Sequence, residues 1–333
     1  MKICIVGAGS IGGYLGTQLA ATGRHVVSAL ARGATLAALR EHGWRVRSGD
    51  TLREAPVIAS EHCADLGPQD LVFVAVKAPV LPALAPTLAP LLAPHTLVVP
   101  AMNGVPWWFC TGLPGFGDAP LDSVDPGGGI AAALPFAQVI GCVVHISCSS
   151  PEPGLVQHKM GQGLIVGEPR GGASARVDAL AGVLREAGFD LTASPDVRRD
   201  IWYKLWGNLT MNPISALTGS TVDRILDDPL LRGFCSQAMR EASAVGARIG
   251  CPIDQTPEDR HAITRKLGAF KTSMLQDVEA GRAIELDAIV TAVHEIARRV
   301  EVPTPGIDAL LGLTRLFARV RGLYPDAALC FPA

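Results

Sequence analysis

The stretch KICIVGAGSIGGYLG, Lys2 to Gly16, decides the fold. Ile3, Cys4, Ile5 and Val6 form a short apolar run that reads as a buried strand, and Ile11–Thr22 reads as a helix. Between them lies Gly7-Ala8-Gly9-Ser10-Ile11-Gly12, a GxGxxG pattern at a strand-to-helix turn. Each glycine has a physical job there. Gly7 permits the tight turn, Gly9 lets a pyrophosphate approach the backbone, and Gly12 lets helix and strand pack closely. The helix N-terminus then points its N–H groups at the phosphates. The expected cofactor loop is Gly7, Ala8, Gly9, Ser10, Ile11 and Gly12. Gly13 and Gly16 extend the small-residue face. The plain alternative is a glycine-rich turn with no ligand.

The second strand, expected over His25–Ala31, bears on which dinucleotide is bound. An NAD site expects an acidic residue about 20 residues beyond the glycines, for the ribose 2′-hydroxyl. No Asp or Glu lies between Gly12 and Arg40, and the strand ends at Arg32. A guanidinium would pair with a 2′-phosphate that a carboxylate would repel. This points to NADP(H), with a solvated loop charge as the other reading of Arg32.

Further along, short apolar runs alternate with helical stretches. Strands are expected at Leu71–Val76, Thr96–Pro100, Val139–Ser147, Val156–Met160 and Leu164–Val166, a helix at Thr35–Glu41, and a hairpin over Trp44–Val57. Such alternation implies a mainly parallel sheet covered on both faces. From Asp196 almost to Arg321 the spacing becomes helical, with helices expected at Asp200–Leu217, Pro229–Ile249, Pro257–Glu279 and Ala283–Val300. The fold class is therefore α/β: an N-terminal Rossmann-type parallel-sheet domain over 1–195, then an all-helical C-terminal domain over 196–333. Lys77 and Asn103-Gly104 follow expected strands, where open α/β sheets bind ligands. Each is a candidate cofactor or substrate contact, or else an ordinary loop residue.

Bulk properties exclude several classes. The 333 residues are 48% hydrophobic and 18% charged, with a net charge of −2. A large core is available, and no basic run invites nucleic acid. The apolar run at residue 3 meets glycine at residue 7, so no signal peptide is expected. Ala78–Ala101 is apolar enough to suggest a membrane span, but its six prolines argue for a helical connection ending in a strand. The eight cysteines include no CxxC pair. Buried free thiols, no metal site and a reducing, cytoplasmic compartment are expected.

The segment WYKLWGNLTMNP, Trp202 to Pro213, is apolar except for Lys204, Asn208 and Asn212, each four apart. On a helix these form one slowly drifting polar stripe. The residue before proline is pushed out of the α region, so a change of direction is expected at Pro213. By spacing alone the stripe faces either solvent or a ligand.

Taken together, the motifs resemble the ketopantoate reductase family. The resemblance rests on Gly7–Gly16, Asn103-Gly104, Lys204–Pro213 and Ser273-Met274-Leu275-Gln276-Asp277 followed by Glu285, in the family's order. It implies NADPH-dependent reduction of a 2-oxo acid to a 2-hydroxy acid, with 2-dehydropantoate as leading substrate, in pantothenate biosynthesis. It also implies roles. Lys204 is similar to the catalytic lysine at the substrate ketone, and Glu285 to the active-site glutamate near the same oxygen. Ser273 resembles the hydroxyl that binds the substrate carboxylate. Asn208 and Asn212 match substrate-positioning amides, and Asn103 one near the nicotinamide ribose. In isolation, Ser273 would read as a surface serine and Glu285 as a salt-bridge partner of Arg282.

There are departures. Val222 and Phe270 stand where some family members carry asparagines, Trp107 and Trp108 are bulky neighbours of Asn103-Gly104, and Gly112–Gly129 looks like an insertion. A bulkier 2-oxo acid is therefore an alternative substrate. A non-catalytic NADP(H)-sensing protein and a 3-hydroxy-acid or imine-type dehydrogenase are the other readings of the same fold. Exposed apolar surface on the helical region is compatible with a homodimer.

Overall fold

The structure, a computed structural model, describes residues 1–325. It divides into two compact units. One comprises residues 1–109 and 125–201; the other comprises residues 110–124 and the chain from Trp202 onward.

The first unit is built on strands β1 (Lys2–Val6), β2 (Val26–Leu30), β3 (Trp44–Ser48), β4 (Thr51–Ala55), β5 (Ile58–Ser60), β6 (Leu71–Val74), β7 (Leu97–Pro100), β8 (Gly141–Glu152), β9 (Leu155–Gly167) and β10 (Asp190–Ser194). Five of them make a wholly parallel sheet in the order β5-β2-β1-β6-β7. Ile3–Val6 and Leu71–Val74 are completely buried, as central parallel strands covered on both faces must be. Their carboxyl ends are level: Val6 pairs with Leu30 and Val74, and Val74 with Pro100.

The chain also forms a second, mixed sheet in the order β10-β9-β3-β4, with β8 antiparallel to β9. The hairpin expected around Ser48-Gly49-Asp50 supplies β3 and β4. The strands expected at Val156–Met160 and Leu164–Val166 are one continuous strand, β9. Gly161 interrupts the apolar pattern without ending the strand. Its φ is +75°, a Cβ there would lie 2.4 Å from the His145 carbonyl oxygen, and the register shifts opposite it between His145 and Ser147.

The Ser10–Ala21 helix packs on both sheets, and its glycines explain how. A Cβ on Gly12 would meet the Gly7 carbonyl oxygen at 2.0 Å, one on Gly13 would meet Val156 of β9 at 2.6 Å, and one on Gly16 would meet the Trp44 ring of β3 at 2.5 Å. The proline-rich connection is a chain of short helical turns from Ala78 to Leu91 that leads into β7. Among the described residues, no helix is long and apolar enough to cross a membrane.

The second unit is helical. The Val197–Thr218 helix enters it and runs on through Pro213 to Thr218, spanning the helix expected over Asp200–Leu217. The single helix expected over Pro257–Glu279 is two, Pro257–Arg265 and Ser273–Glu279, with Gly268 at φ +63° in the link. Residues 283–285, expected as helix, are non-helical. A π-helical turn, Asp287–Thr291, then continues into the Ala292–Arg299 helix.

Residues 110–124 pack on that last helix. The Glu295 carboxylate accepts from the backbone N–H of Asp122 at 3.0 Å and of Ser123 at 2.9 Å, and pairs with Arg299 at 2.6 Å. Arg299 also lies over the Phe116 ring and donates to the Pro120 carbonyl. Phe116 and Leu121 are buried. Hydrogen bonds to an ionised carboxylate are the stronger kind. Glu295→Ala should therefore lower unfolding stability by about 2 kcal/mol, read as an earlier midpoint in urea. An unchanged midpoint would mean that the segment is held by its apolar residues alone.

Candidate active site

Four groups singled out from the sequence lie at one edge of the parallel sheet. The glycine loop follows β1, Arg32 follows β2, Lys77 lies beyond β6, and Asn103 beyond β7. These strands are neighbours in the order β2-β1-β6-β7 and all run the same way, so their carboxyl ends share one rim.

The loop has the shape that anion binding needs. Gly7 has φ +92°, and a Cβ there would strike Val76 at 2.6 Å. Gly9 is different: it is exposed, and nothing lies within 4 Å of a Cβ built on it. Gly9 caps the Ser10–Ala21 helix with no side-chain hydrogen bond, and no acidic residue occupies the first turn. The helix N-terminus thus keeps N–H groups and a positive dipole end for an incoming phosphate. Arg32 is exposed at the end of β2, and among the described residues its side chain forms no ion pair or hydrogen bond. Lys77 is exposed ahead of a helical turn at Ala78–Val80, and Asn103 is half-buried before Gly104, whose φ is +82°. The two bulky neighbours, Trp107 and Trp108, are buried; Trp108 lies against Gly141 in the interior of the first unit.

Lys204, Asn208 and Asn212 lie on the Val197–Thr218 helix, one turn apart. Lys204 and Asn208 are half-buried, and Asn212 is only 5% exposed. The rotation of this helix is fixed from another side. The Trp206 indole N–H donates to the Met239 carbonyl at 2.7 Å, and that of Trp202 to the Ala242 carbonyl at 3.3 Å. Both acceptors belong to the Pro229–Arg248 helix. Among the described residues, the side-chain amides of Asn208 and Asn212 form no hydrogen bond. A largely buried amide normally finds partners, so Asn212, and with it half-buried Asn208 one turn away, is disposed to bond a ligand.

Ser273 is half-buried at the start of the Ser273–Glu279 helix. Capping is done by its neighbour: the Thr272 hydroxyl accepts from the Leu275 N–H at 3.2 Å, and the Ser273 hydroxyl forms no hydrogen bond among the described residues. Gly281, at φ +64°, turns the chain after that helix, and Glu285 follows, 5% exposed. The salt bridge considered for Glu285 is made elsewhere. Arg282 pairs with buried Asp277 at 3.2 Å.

One residue near the stripe was not anticipated. Arg260, from the Pro257–Arg265 helix, lies over the Tyr203 ring, and a Cβ on Gly207 would sit 2.8 Å from its Nε. No local pattern pairs Arg260 with a glycine 53 positions earlier. Val222 and Phe270 are joined: the Val222 N–H bonds the Phe270 carbonyl at 3.1 Å, and both pack with Met211 and Ile214 in one apolar cluster.

Comparison with known proteins fits this arrangement. Residues 3–107 match the family model of ketopantoate reductase PanE/ApbA, and residues 196–318 that of its C-terminal part. A 2-dehydropantoate 2-reductase from Mesorhizobium japonicum is 45% identical over 325 residues, covering 97% of this chain and 100% of the relative. A crystal structure of a Ralstonia solanacearum protein assigned to the ketopantoate reductases superposes with a TM-score of 0.93 at 54% identity, covering 97% of this chain and 99% of that one. That of 2-dehydropantoate 2-reductase from Methylococcus capsulatus gives 0.80 at 29% identity, covering 99% of each. The chain belongs to the ketopantoate reductase family, whose members are oxidoreductases acting on a CH–OH group.

Proposed function

We propose that this protein reduces a 2-oxo acid with NADPH, 2-dehydropantoate being the leading substrate. The observation that carries this reading is the stripe: an ammonium and two amides in line on one helix, one amide half-buried and one almost fully buried, neither amide hydrogen-bonded among the described residues, in a chain of this family. The division of labour is proposed with it, with cofactor on residues 1–195 and substrate on 196–333.

Bound NADPH supplies a hydride to the C2 carbonyl, and negative charge then grows on the carbonyl oxygen. Lys204 donates a hydrogen bond to that oxygen and delivers the proton. Glu285 keeps the lysine charged and oriented. Ser273 donates to the substrate carboxylate, and Asn208 and Asn212 hold the rest of the molecule. Neutral amides and a hydroxyl do this without neutralising Lys204. The Gly7–Gly12 loop and the helix N-terminus would hold the pyrophosphate, Arg32 would pair with the 2′-phosphate and Asn103 would serve the nicotinamide ribose, with Lys77 following β6 at the same rim.

The Val222–Phe270 cluster supports a second reading of the substrate, a bulkier 2-oxo acid with an apolar tail. A homodimer is supported by Leu313, Leu316 and Val320, exposed on one side of the Pro305–Val320 helix; sedimentation velocity reads it directly. The seven described cysteines are all free thiols, which supports a cytoplasmic setting.

Four measurements test the proposal. A panel of 2-oxo acids, assayed by NADPH oxidation, should contain a substrate; if NADPH binds and none is reduced, the protein is a sensor. Lys204→Ala should lose about 100-fold or more in kcat while NADPH still binds. Gly9→Ala should keep the wild-type melting temperature yet bind NADPH about tenfold more weakly, because its methyl enters open space above the loop. Gly12→Ala should do the opposite and lower the melting temperature, because its methyl meets the backbone at 2.0 Å.

A further inference from the structure

Glu285 lies in a non-helical stretch between Gly281 and the π-helical turn Asp287–Thr291. Such a stretch lacks the repeating backbone hydrogen bonds of a helix or strand. Yet Glu285 is almost completely buried, and its neighbours Ile284 and Leu286 are too. Another part of the second unit holds the chain on either side of it.

That part is the turn after the Pro305–Val320 helix. One residue before Glu285, the Ile284 N–H donates to the Leu323 carbonyl at 3.1 Å. Two residues after it, the Asp287 carboxylate accepts from the Tyr324 hydroxyl at 2.6 Å. The same carboxylate oxygen accepts from the Thr291 hydroxyl at 2.9 Å, one turn on. Leu323 is itself held by a bond from its N–H to the Ala318 carbonyl at 2.8 Å. Consecutive residues, Leu323 and Tyr324, thus grip the chain on both sides of Glu285. The π-helical turn begins at one of the gripped positions, and such turns occur often at functional sites.

We propose that Tyr324 and Asp287 are positioning residues for Glu285: their hydrogen bond, with the backbone bond from Ile284 to Leu323, sets where the Glu285 carboxylate stands. This rests on the catalytic reading of Glu285. Burial raises the Asp287 carboxyl above its ordinary range, opposed by the hydrogen bonds from Tyr324 and Thr291 and by the charges of Arg315 and Arg319. Burial and the adjacent Asp287 push the Tyr324 hydroxyl up as well. The tyrosine is therefore a neutral donor to the Asp287 carboxylate.

The test compares Tyr324→Phe with the parent enzyme, and Tyr324→Phe/Glu285→Gln with Glu285→Gln alone, by steady-state NADPH oxidation and thermal melting. Loosening a catalytic carboxylate should lower kcat about tenfold, with the KM for the oxo acid within about twofold. In the Glu285→Gln background the same change should cost almost nothing further, because it acts through the group already removed. A general packing defect would cost the same factor in both backgrounds, and that result overturns the proposal. So does a Tyr324→Phe enzyme with the parent's kcat. If Tyr324→Phe does not fold, Thr291→Val removes the other donor to the same carboxylate. It should then show the same loss of kcat confined to the Glu285 background, and unaltered turnover there overturns the grip. If Glu285→Gln itself keeps full turnover, the catalytic reading of Glu285 has failed. If Glu285→Gln loses turnover and Tyr324→Phe does not, only the grip has failed.

Discussion

The first helix can lie against two sheets only because Gly12, Gly13 and Gly16 have no side chains. A methyl group at any of the three would come within 2.6 Å of the loop backbone or of a strand's side chain, and packed interiors do not absorb such overlaps without moving. The rim of strand ends beside the glycine loop depends on this seating. With the helix pressed onto β1, β3 and β9, its N-terminus stands at the level ends of the parallel strands, beside the residues that follow β2, β6 and β7. The one glycine of the loop that faces open space, Gly9, stands where a phosphate would approach. Closely packed glycines hold the frame, and the unpacked one leaves room for a ligand.

The second unit meets the same requirement with aromatic residues. A helix bearing a polar stripe must not roll, or the stripe would turn into the core. Trp202 and Trp206, one turn apart, each bury a large indole and each bond a carbonyl of the Pro229–Arg248 helix. A rigid, wide side chain with a single donor makes a good rotational stop, because any roll would break the bond and open a void. Lys204 and Asn208 are half-buried as a result, within reach of a ligand though not freely solvated.

Much of this was legible in the chain because it follows fixed periods. The strand–GxGxxG–helix turn and the four-residue spacing of Lys204, Asn208 and Asn212 are local patterns, and each reads directly as geometry. The second sheet was legible only in part. The β3–β4 hairpin and the apolar runs of β8 and β9 were expected, but β10 is short and partly exposed, and Gly161 breaks the apolar run of β9 without breaking its hydrogen bonding. The helix expected across Ala283–Val300 failed for another reason. Its helical spacing is real from Leu286 onward, but the Ile284 N–H is taken by Leu323, a competitor 39 positions away. Long-range bonds of that kind, like Arg260 against Gly207, leave no trace in local periodicity.

The chain passes between its two units three times, since residues 110–124 belong to the second unit although the first continues after them. The two halves are therefore not modules that one cut could separate. A fragment ending near residue 201 would carry Phe116 and Leu121 without the helix that covers them, and would leave the backbone N–H groups of Asp122 and Ser123 without the Glu295 carboxylate. Such a fragment would expose an adhesive loop in an otherwise finished α/β unit. Any splitting or recombination of this chain, in evolution or at the bench, has to move that loop together with its helical counterpart.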